Sequence, residues 1–177
     1  ITSENLKNYL PTKCNKIIVD NVLMATAKIT KIFYPDSVSD DFDKTSKEIK
    51  KTSFKKKVRY GINVLIGKNV KIGKNSIVGA NTIIESNVVI GKNCVIGSGT
   101  IIKNSIIGDR VMIQDNCKIG QKGFGFIPLK NKNFKFPHIG RVILEDDIEI
   151  ASGCTIDRGS VSDTQIGKNT YLDNQVH

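Results

Sequence analysis

Two histidines, His138 and His177, are the only imidazoles in 177 residues. His177 follows Asp173-Asn174-Gln175, so a carboxylate lies close by in sequence to orient its ring. His138 stands in Pro137-His138-Ile139-Gly140. An imidazole in a groove between packed chains can serve as the general base of an acyl transfer. For each, the competing reading is a polar loop histidine without a chemical role. Other chemistry finds less support. There is no Ser-His-Asp arrangement, no phosphate-binding glycine loop and no dinucleotide fingerprint. Gly123-Phe124-Gly125 is a lone G-x-G, weak by itself. Cys14, Cys94, Cys117 and Cys154 show no metal-ligand spacing, and no other ligand cluster suggests a metal.

The elements that must position these groups are written in sixes. From Ile66 an aliphatic residue recurs at Ile72, Val78, Ile84, Ile90, Ile96 and Ile102, and Gly follows five of the seven. The fifth place of each six is small or β-branched: Val70, Ser76, Thr82, Val88, Cys94, Thr100. A helix cannot hold a period of six on one face, and Gly and Asn at every few steps would break a plain strand. A fixed six-residue period predicts a parallel β-helix. The first-place aliphatic fills each coil, the fifth-place residue packs near a corner, and Gly, Asn and Asp supply φ > 0 at corners. Phe54, Tyr60, Val58 and Val64 extend the pattern backwards. The period slips after Ile102 to Ile107, returns at Ile113 and Ile119, and breaks for a nineteen-residue excursion from Gly120 to His138. It resumes at Leu144, Ile150 and Ile156, slips again, and runs through Ile166 and Leu172. The slips read as corner bulges, and the excursion reads as a projecting loop, where function sits on rigid scaffolds.

Cys94, Cys117 and Cys154 all occupy fifth places and read as small buried hydrophobes. Aromatic residues make up only 6% of the chain and Trp is absent, which suits a core of stacked Ile and Val. The formal charge of +10 points to an acidic partner or to a solvated Lys-rich surface. The bases are dispersed among corners, without helix-turn-helix, RNA-recognition or zinc-finger spacing, so nucleic acid is not expected. No signal peptide or transmembrane segment is visible, and reduced cysteines fit a cytoplasmic protein.

Before the repeats, Lys16–Asp20 reads as a short buried strand. Asp20 or Asn21 can cap a helix over 22–34 with Val22, Thr26, Ile29 and Phe33 on one face, stopped by Pro35. Residues 1–36 therefore predict the end of a small α/β domain, 37–53 a linker, and 54–177 the β-helix with its loop at 120–138. The opening at Ile1 and the close in mid-repeat are read as the ends of a fragment.

Beyond the hexads, an ordered set of motifs carries a family resemblance. It comprises Gly120-Gln-Lys-Gly-Phe-Gly-Phe126, Phe136-Pro-His-Ile-Gly-Arg-Val142, Thr155-Ile-Asp-Arg-Gly159, Asp163-Thr164, Ile166-Gly167 and Leu172-Asp-Asn-Gln-Val-His177. The set resembles the UDP-3-O-acylglucosamine N-acyltransferases of lipid A synthesis, hexapeptide-repeat enzymes of Gram-negative type bacteria. The resemblance covers about residues 16–177. It implies a mainly β protein, a left-handed parallel β-helix behind a uridine-binding α/β domain, assembled as a homotrimer with active sites between subunits. It implies transfer of a 3-hydroxyacyl chain from acyl carrier protein to the 2-amino group of a UDP-3-O-acyl-glucosamine. No cofactor is held; the acyl-pantetheine belongs to the donor, and the Lys-rich surface suits that acidic carrier. In that family the base is a His three residues past the position matching His177. His177 is accordingly a weak catalytic candidate, and the 177 residues alone are expected to be inactive. Asp173 and Asn174 match the run leading to the base, and Gly123, Phe124 and Gly125 match a loop beside the groove. Arg158 reads as structural, paired with Asp157 or Asp163. The alternatives are another hexapeptide-repeat acyl- or acetyltransferase using coenzyme A, or a non-catalytic β-helix scaffold.

Overall fold

A computed structural model describes residues 1–49 and 57–177. Phe54 and the Lys-rich end of the expected linker lie outside the described residues. The chain divides into two compact units, one of 1–39 with 124–137 and one of 40–123 with 138–177.

The larger unit is the expected parallel β-helix. Each coil lays one short strand on each of three faces. The first face stacks Leu65–Ile66, Ile83–Ile84, Ile101–Ile102, Lys118–Lys122 and Thr155–Arg158. The second stacks Lys71–Ile72, Val89–Ile90, Ser105–Ile107, Val142–Leu144 and Thr164–Ile166. The third runs from Arg59–Tyr60 through Ile77–Val78, Val95–Ile96, Met112–Ile113 and Glu149–Ile150 to Tyr171–Leu172. The pairing is parallel and in step, Leu65 opposite Ile83 and Ile83 opposite Ile101, so like residues stack. Inside, Ile84, Ile96, Ile102, Ile113, Ile119 and Ile150 are fully buried, as are Val88, Cys94, Cys117 and Cys154. Burial pushes the thiols of Cys94 and Cys117 up, away from reactive thiolate, as expected of packing residues. Ser76, Thr82 and Thr100 are buried too. Their hydroxyls donate to the carbonyls of Gly91, Gly97 and Gln114, so the polar fifth places are satisfied.

The corners divide their labour differently from the expectation. The φ > 0 position is the fourth of each six, and from Asn63 to Asn93 it is always Asn, with Gly99, Arg110, Asp147 and Gly153 taking it in later coils. Asn63, Asn69, Asn75, Asn81, Asn87 and Asn93 lie at φ 54–64°. Their side chains also form ladders, Asn63 Nδ2 donating to Asn81 Oδ1 at 3.2 Å and Asn69 to Asn87 at 3.2 Å. The second-place Gly serves close approach instead. A Cβ at Gly91 would fall 2.3 Å from the Gly108 carbonyl oxygen of the next coil. Replacing Asn81 with Ala should therefore cost about 1 kcal/mol in urea denaturation, because Ala lacks the short polar side chain that lets Asn tolerate the left-handed region. Asn81→Gly should cost less, although it removes the same side-chain hydrogen bond.

Neither slip is a bulge of one extra residue. Ile107 pairs with Ile90, seventeen positions earlier rather than eighteen, so the first corner is shortened, at Asn104 with φ 41°. Ile166 follows Ile156 by ten positions rather than six, because the corner around Gly159–Asp163 is lengthened.

Part of the stretch read as a linker is docked on the β-helix. Lys47–Glu48 pairs antiparallel with Leu65–Ile66. Asp43 Oδ2 accepts from the Ser86 amide at 2.7 Å, and Thr45 Oγ1 accepts from the Lys68 amide at 2.9 Å. Burial opposes charge on Asp43, but the hydrogen bonds from Thr45 and Ser86 outweigh it and hold the carboxyl below its ordinary value. The polarity that suggested a solvated linker is what fastens the segment.

In the smaller unit the helix spans Val22–Phe33 and is capped by Asn21, whose Oδ1 accepts from the Met24 amide at 2.9 Å. Of the helix only Ala27 is fully buried, and Phe33, placed on the inward face by the pattern, is 75% exposed. The Lys16–Asp20 strand reduces to a single parallel bridge between Ile18 and Thr2. The excursion contributes an antiparallel hairpin, Phe126–Pro128 against Asn133–Lys135, with Ile127 buried.

Candidate functional site

The outer surface of the first face gathers three of the candidates, His177, His138 and Gly123. On a strand, residues two apart share a face. In Thr155–Arg158, Ile156 points into the core while Thr155 and Asp157 look outward, about 7 Å apart by strand rise. His177 sits beyond Thr155 in the stacking direction: the Thr155 amide donates to the Val176 carbonyl at 2.9 Å, and His177 Nδ1 lies 2.6 Å from Thr155 Oγ1. At the far end of the strand stands Asp157, next to the point where the excursion leaves and rejoins the β-helix. A Cβ on Gly123 would lie 2.8 Å from His138 Nε2 and 3.6 Å from Asp157 Oδ2. Gly123 is thus the floor over which the His138 ring lies, and only a residue without a side chain leaves that room. Asp157 Oδ1 is buried and has no hydrogen-bond partner among the described residues. A buried carboxylate oxygen without a donor is costly, and a site that expects a ligand N–H or O–H is where such an oxygen is tolerated.

His138 itself is buried. Its carbonyl accepts from Arg158 Nε at 3.0 Å, and Arg158 Nη1 also reaches the Gly120 carbonyl at 3.4 Å and Asp40 Oδ1 at 4.0 Å. Arg158 is thus structural, with partners other than those expected. Asp163 is held by Arg141 instead, which lowers its pKa through the side-chain hydrogen bond. Burial lowers the pKa of Arg158, against the opposing pull of Asp40, Glu85 and Asp157.

Asp173 and Asn174 occupy the corner between the third and first faces, ahead of His177. Asn174 Oδ1 accepts from the Ser152 amide at 3.1 Å, and Asp173 Oδ1 accepts from the Asn174 amide at 2.7 Å. Their polar atoms are engaged in shaping the turn that delivers His177. Phe124 and Gly125 belong to the smaller unit. There the Gly125 carbonyl accepts from the Phe136 amide at 2.9 Å, and the 91%-exposed Phe124 ring meets Phe126 edge to face at 5.6 Å. The structure therefore brings His177, Thr155, Asp157, His138 and Gly123 onto one face. Thr155 and Asp157 were not singled out for chemistry from the sequence, though their alternation about inward Ile156 was there to read. Among the described residues no group of three or more His, Cys, Asp or Glu is placed to hold a metal ion.

A three-sided stack of parallel coils with repeats of six defines a hexapeptide-repeat β-helix. Residues 69–104 and 87–121 match the family described as bacterial transferase hexapeptide (six repeats). The chain is similar to proteins named UDP-3-O-acylglucosamine N-acyltransferase. It is 44% identical over 79 residues to that of Azorhizobium caulinodans, covering 45% of this chain and 22% of that protein. It is 47% identical over 76 residues to the second such protein of Rhodopseudomonas palustris strain BisB18, covering 43% and 20%. It is 49% identical over 78 residues to that of Bradyrhizobium strain ORS 278, covering 44% and 22%. The matched stretch spans about a fifth of the length of these curated relatives.

Proposed function

We propose that the protein is an acyl-carrier-protein-dependent N-acyltransferase of lipid A synthesis. It moves a 3-hydroxyacyl chain onto the 2-amino group of a UDP-3-O-acyl-glucosamine, working as a cytoplasmic homotrimer. The observation that carries this reading is the 44–49% identity to proteins bearing that one name. In the reaction the amine nitrogen attacks the thioester carbonyl, the pantetheine thiolate leaves, and the nitrogen gives up a proton to a base. The outer first face supplies the groove. Asp157 accepts a hydrogen bond from the bound substrate through its unpartnered oxygen, and His138 and Gly123 close that end. Asp173 and Asn174 fix the turn at the other end, and Gly123 borders the donor path. No bound cofactor is required, because the acyl-pantetheine comes with the carrier. Among the described residues no helix is long and apolar enough to cross a membrane, which is compatible with this placement.

Incubation of the complete enzyme with 3-hydroxyacyl carrier protein and the UDP-amino-sugar should yield a sugar heavier by one acyl group and one equivalent of free carrier thiol, and the 177 residues alone should yield neither. Product formed from acyl-coenzyme A but not from the carrier would overturn the donor assignment. Because the base of the family it resembles stands three residues past the position matching His177, His177 shapes the groove rather than taking the proton, its Nδ1 2.6 Å from Thr155 Oγ1. His177→Ala in the active enzyme should lower kcat/KM less than about tenfold; a loss of a thousandfold would make His177 the base.

A further inference from the structure

Charge is divided unevenly along the β-helix. Residues 57–104 carry seven Lys or Arg against one acid, Glu85; the docked segment 40–49 adds two Lys and four acids, leaving nine bases against five acids, whereas 138–177 carry three bases against seven acids. Pairing follows the same division. Arg141, Arg158 and Lys168 each face a carboxylate, as does Arg110, which hydrogen-bonds Asp147. Lys57, Arg59, Lys68, Lys71, Lys74 and Lys92 are exposed and make no ion pair among the described residues.

These six bases surround one end of the stack. Arg59 and Lys71 lie on the terminal strands of the third and second sheets. Lys68 and Lys74 lie at the corners that follow the first-face and second-face strands. Lys92 continues the Lys74 corner one coil on, where the Asn93 amide donates to the Lys74 carbonyl at 3.0 Å. Like charges a coil apart, about 5 Å, repel unless an anion stands between them. Blunting of sheet edges against strand addition accounts for Arg59 and Lys71 but not for the corner lysines, which are on no edge. The same end carries Ile62, an aliphatic side chain 72% exposed.

We propose that this end of the β-helix rests on an anionic lipid surface. The bases project from two faces and two corners around a rim. A rim can touch a plane at many points, whereas a small anion would need them converging in one pocket. Nucleic acid would call for a continuous groove with aromatic platforms, whereas the terminal strands and corners here expose Lys, Arg, Asn and Ile, with one acid, Glu48, on the strand that closes the first sheet. The exposed Ile62 adds a contact that headgroups and acyl chains accept and a salt-bridged protein partner does not need. The inference is independent of the proposed activity.

Sedimentation with phosphatidylcholine vesicles, with and without phosphatidylglycerol, tests it. The protein should partition onto the anionic vesicles alone, more weakly as salt rises. Each basic residue near such a surface contributes about a fivefold factor, so the triple variant Lys71→Glu, Lys74→Glu, Lys92→Glu should bind at least about a hundredfold more weakly. Its melting midpoint should stay put, because all three side chains are in solvent. The charge-matched control Lys130→Glu, Lys132→Glu, Lys168→Glu should keep binding within a few-fold. Equal losses in the two triples would reduce the effect to net charge and overturn the proposal. So would failure to bind anionic vesicles, or rim-dependent retention on polyglutamate without vesicle binding, which would assign the rim to an acidic protein.

Discussion

Ile102→Asp should abolish cooperative folding of the β-helix. Ile102 is fully buried on the first face, stacked between Ile84 and Ile119, and its carbonyl accepts from the Glu85 amide at 2.9 Å. The substitution forfeits about 2–3 kcal/mol of burial and places a carboxylate where no donor waits, at several kcal/mol more. Against a total stability of about 5–15 kcal/mol, that is most of what a domain holds. The architecture magnifies it. Each coil touches only its neighbours, so one failed coil severs those before it from those after it. Urea titration followed by circular dichroism should show a broad, non-cooperative loss of β signal in place of a single transition. Ile101→Asp supplies the control. Ile101 is the adjacent residue of the same strand and faces outward, only half-buried. It should leave a cooperative transition with a modest shift. Equal damage from both would refute the inward-outward alternation on which the fold rests.

That alternation is why so much of the larger unit could be read from the sequence. Ile72, Val78, Ile84 and their successors are required inward at every sixth place, and a local rule repeated many times leaves a strong trace. What escaped has no repeat behind it. The docked segment 40–48 is held by one short strand pairing, by the Asp40–Lys103 ion pair, and by Asp43 and Thr45, each meeting an amide far away in sequence. Nothing local distinguishes it from a solvated linker. The division between Asn for φ > 0 and Gly for close packing was hidden because both residues permit the same turn, and only the distance to the next coil separates them. The hairpin at 126–135 lacks the two-residue turn signal that would have revealed it. In the site, His177 and the turn at Asp173 and Asn174 could be located by motif. The nearness of Asp157 to His138 could not, because it depends on where a nineteen-residue excursion closes.

Arg158 shows the same limit, and its replacement gives the second large effect. Sequence proximity pointed to Asp157 or Asp163 as its partner. Instead, the guanidinium spans the neck of the excursion, donating to the carbonyls of Gly120, where the excursion begins, and His138, where it ends. Asp40 lies at 4.0 Å and is shared with Lys103 at 3.6 Å, which also pairs with Glu85. Arg158→Met fills comparable volume but leaves the His138 carbonyl without this donor and the Gly120 carbonyl with Asn104 Nδ2 alone, at 3.4 Å. At about 1–3 kcal/mol for a buried group left unmatched, the variant should lose about 2–3 kcal/mol. Asp40 retains Lys103, so that carboxylate is not stranded. Arg158→Lys should rescue little, because an ammonium cannot span both carbonyls as the planar fork does. Amide exchange should localise the damage, with faster exchange at Ile139 and Gly140, which donate to Ser160 and Gly159 beside the neck. If instead Asp163 were the partner, Asp163→Ala would match Arg158→Met. Because Asp163 is paired with the half-exposed Arg141, it should cost no more than about 1 kcal/mol. A full-sized loss in Asp163→Ala, or none in Arg158→Met, would remove the clamp from the account. The order predicted here, Arg158→Met close to Arg158→Lys and both far below Asp163→Ala in stability, follows from one residue holding both ends of a loop whose closure sets His138 beside Asp157.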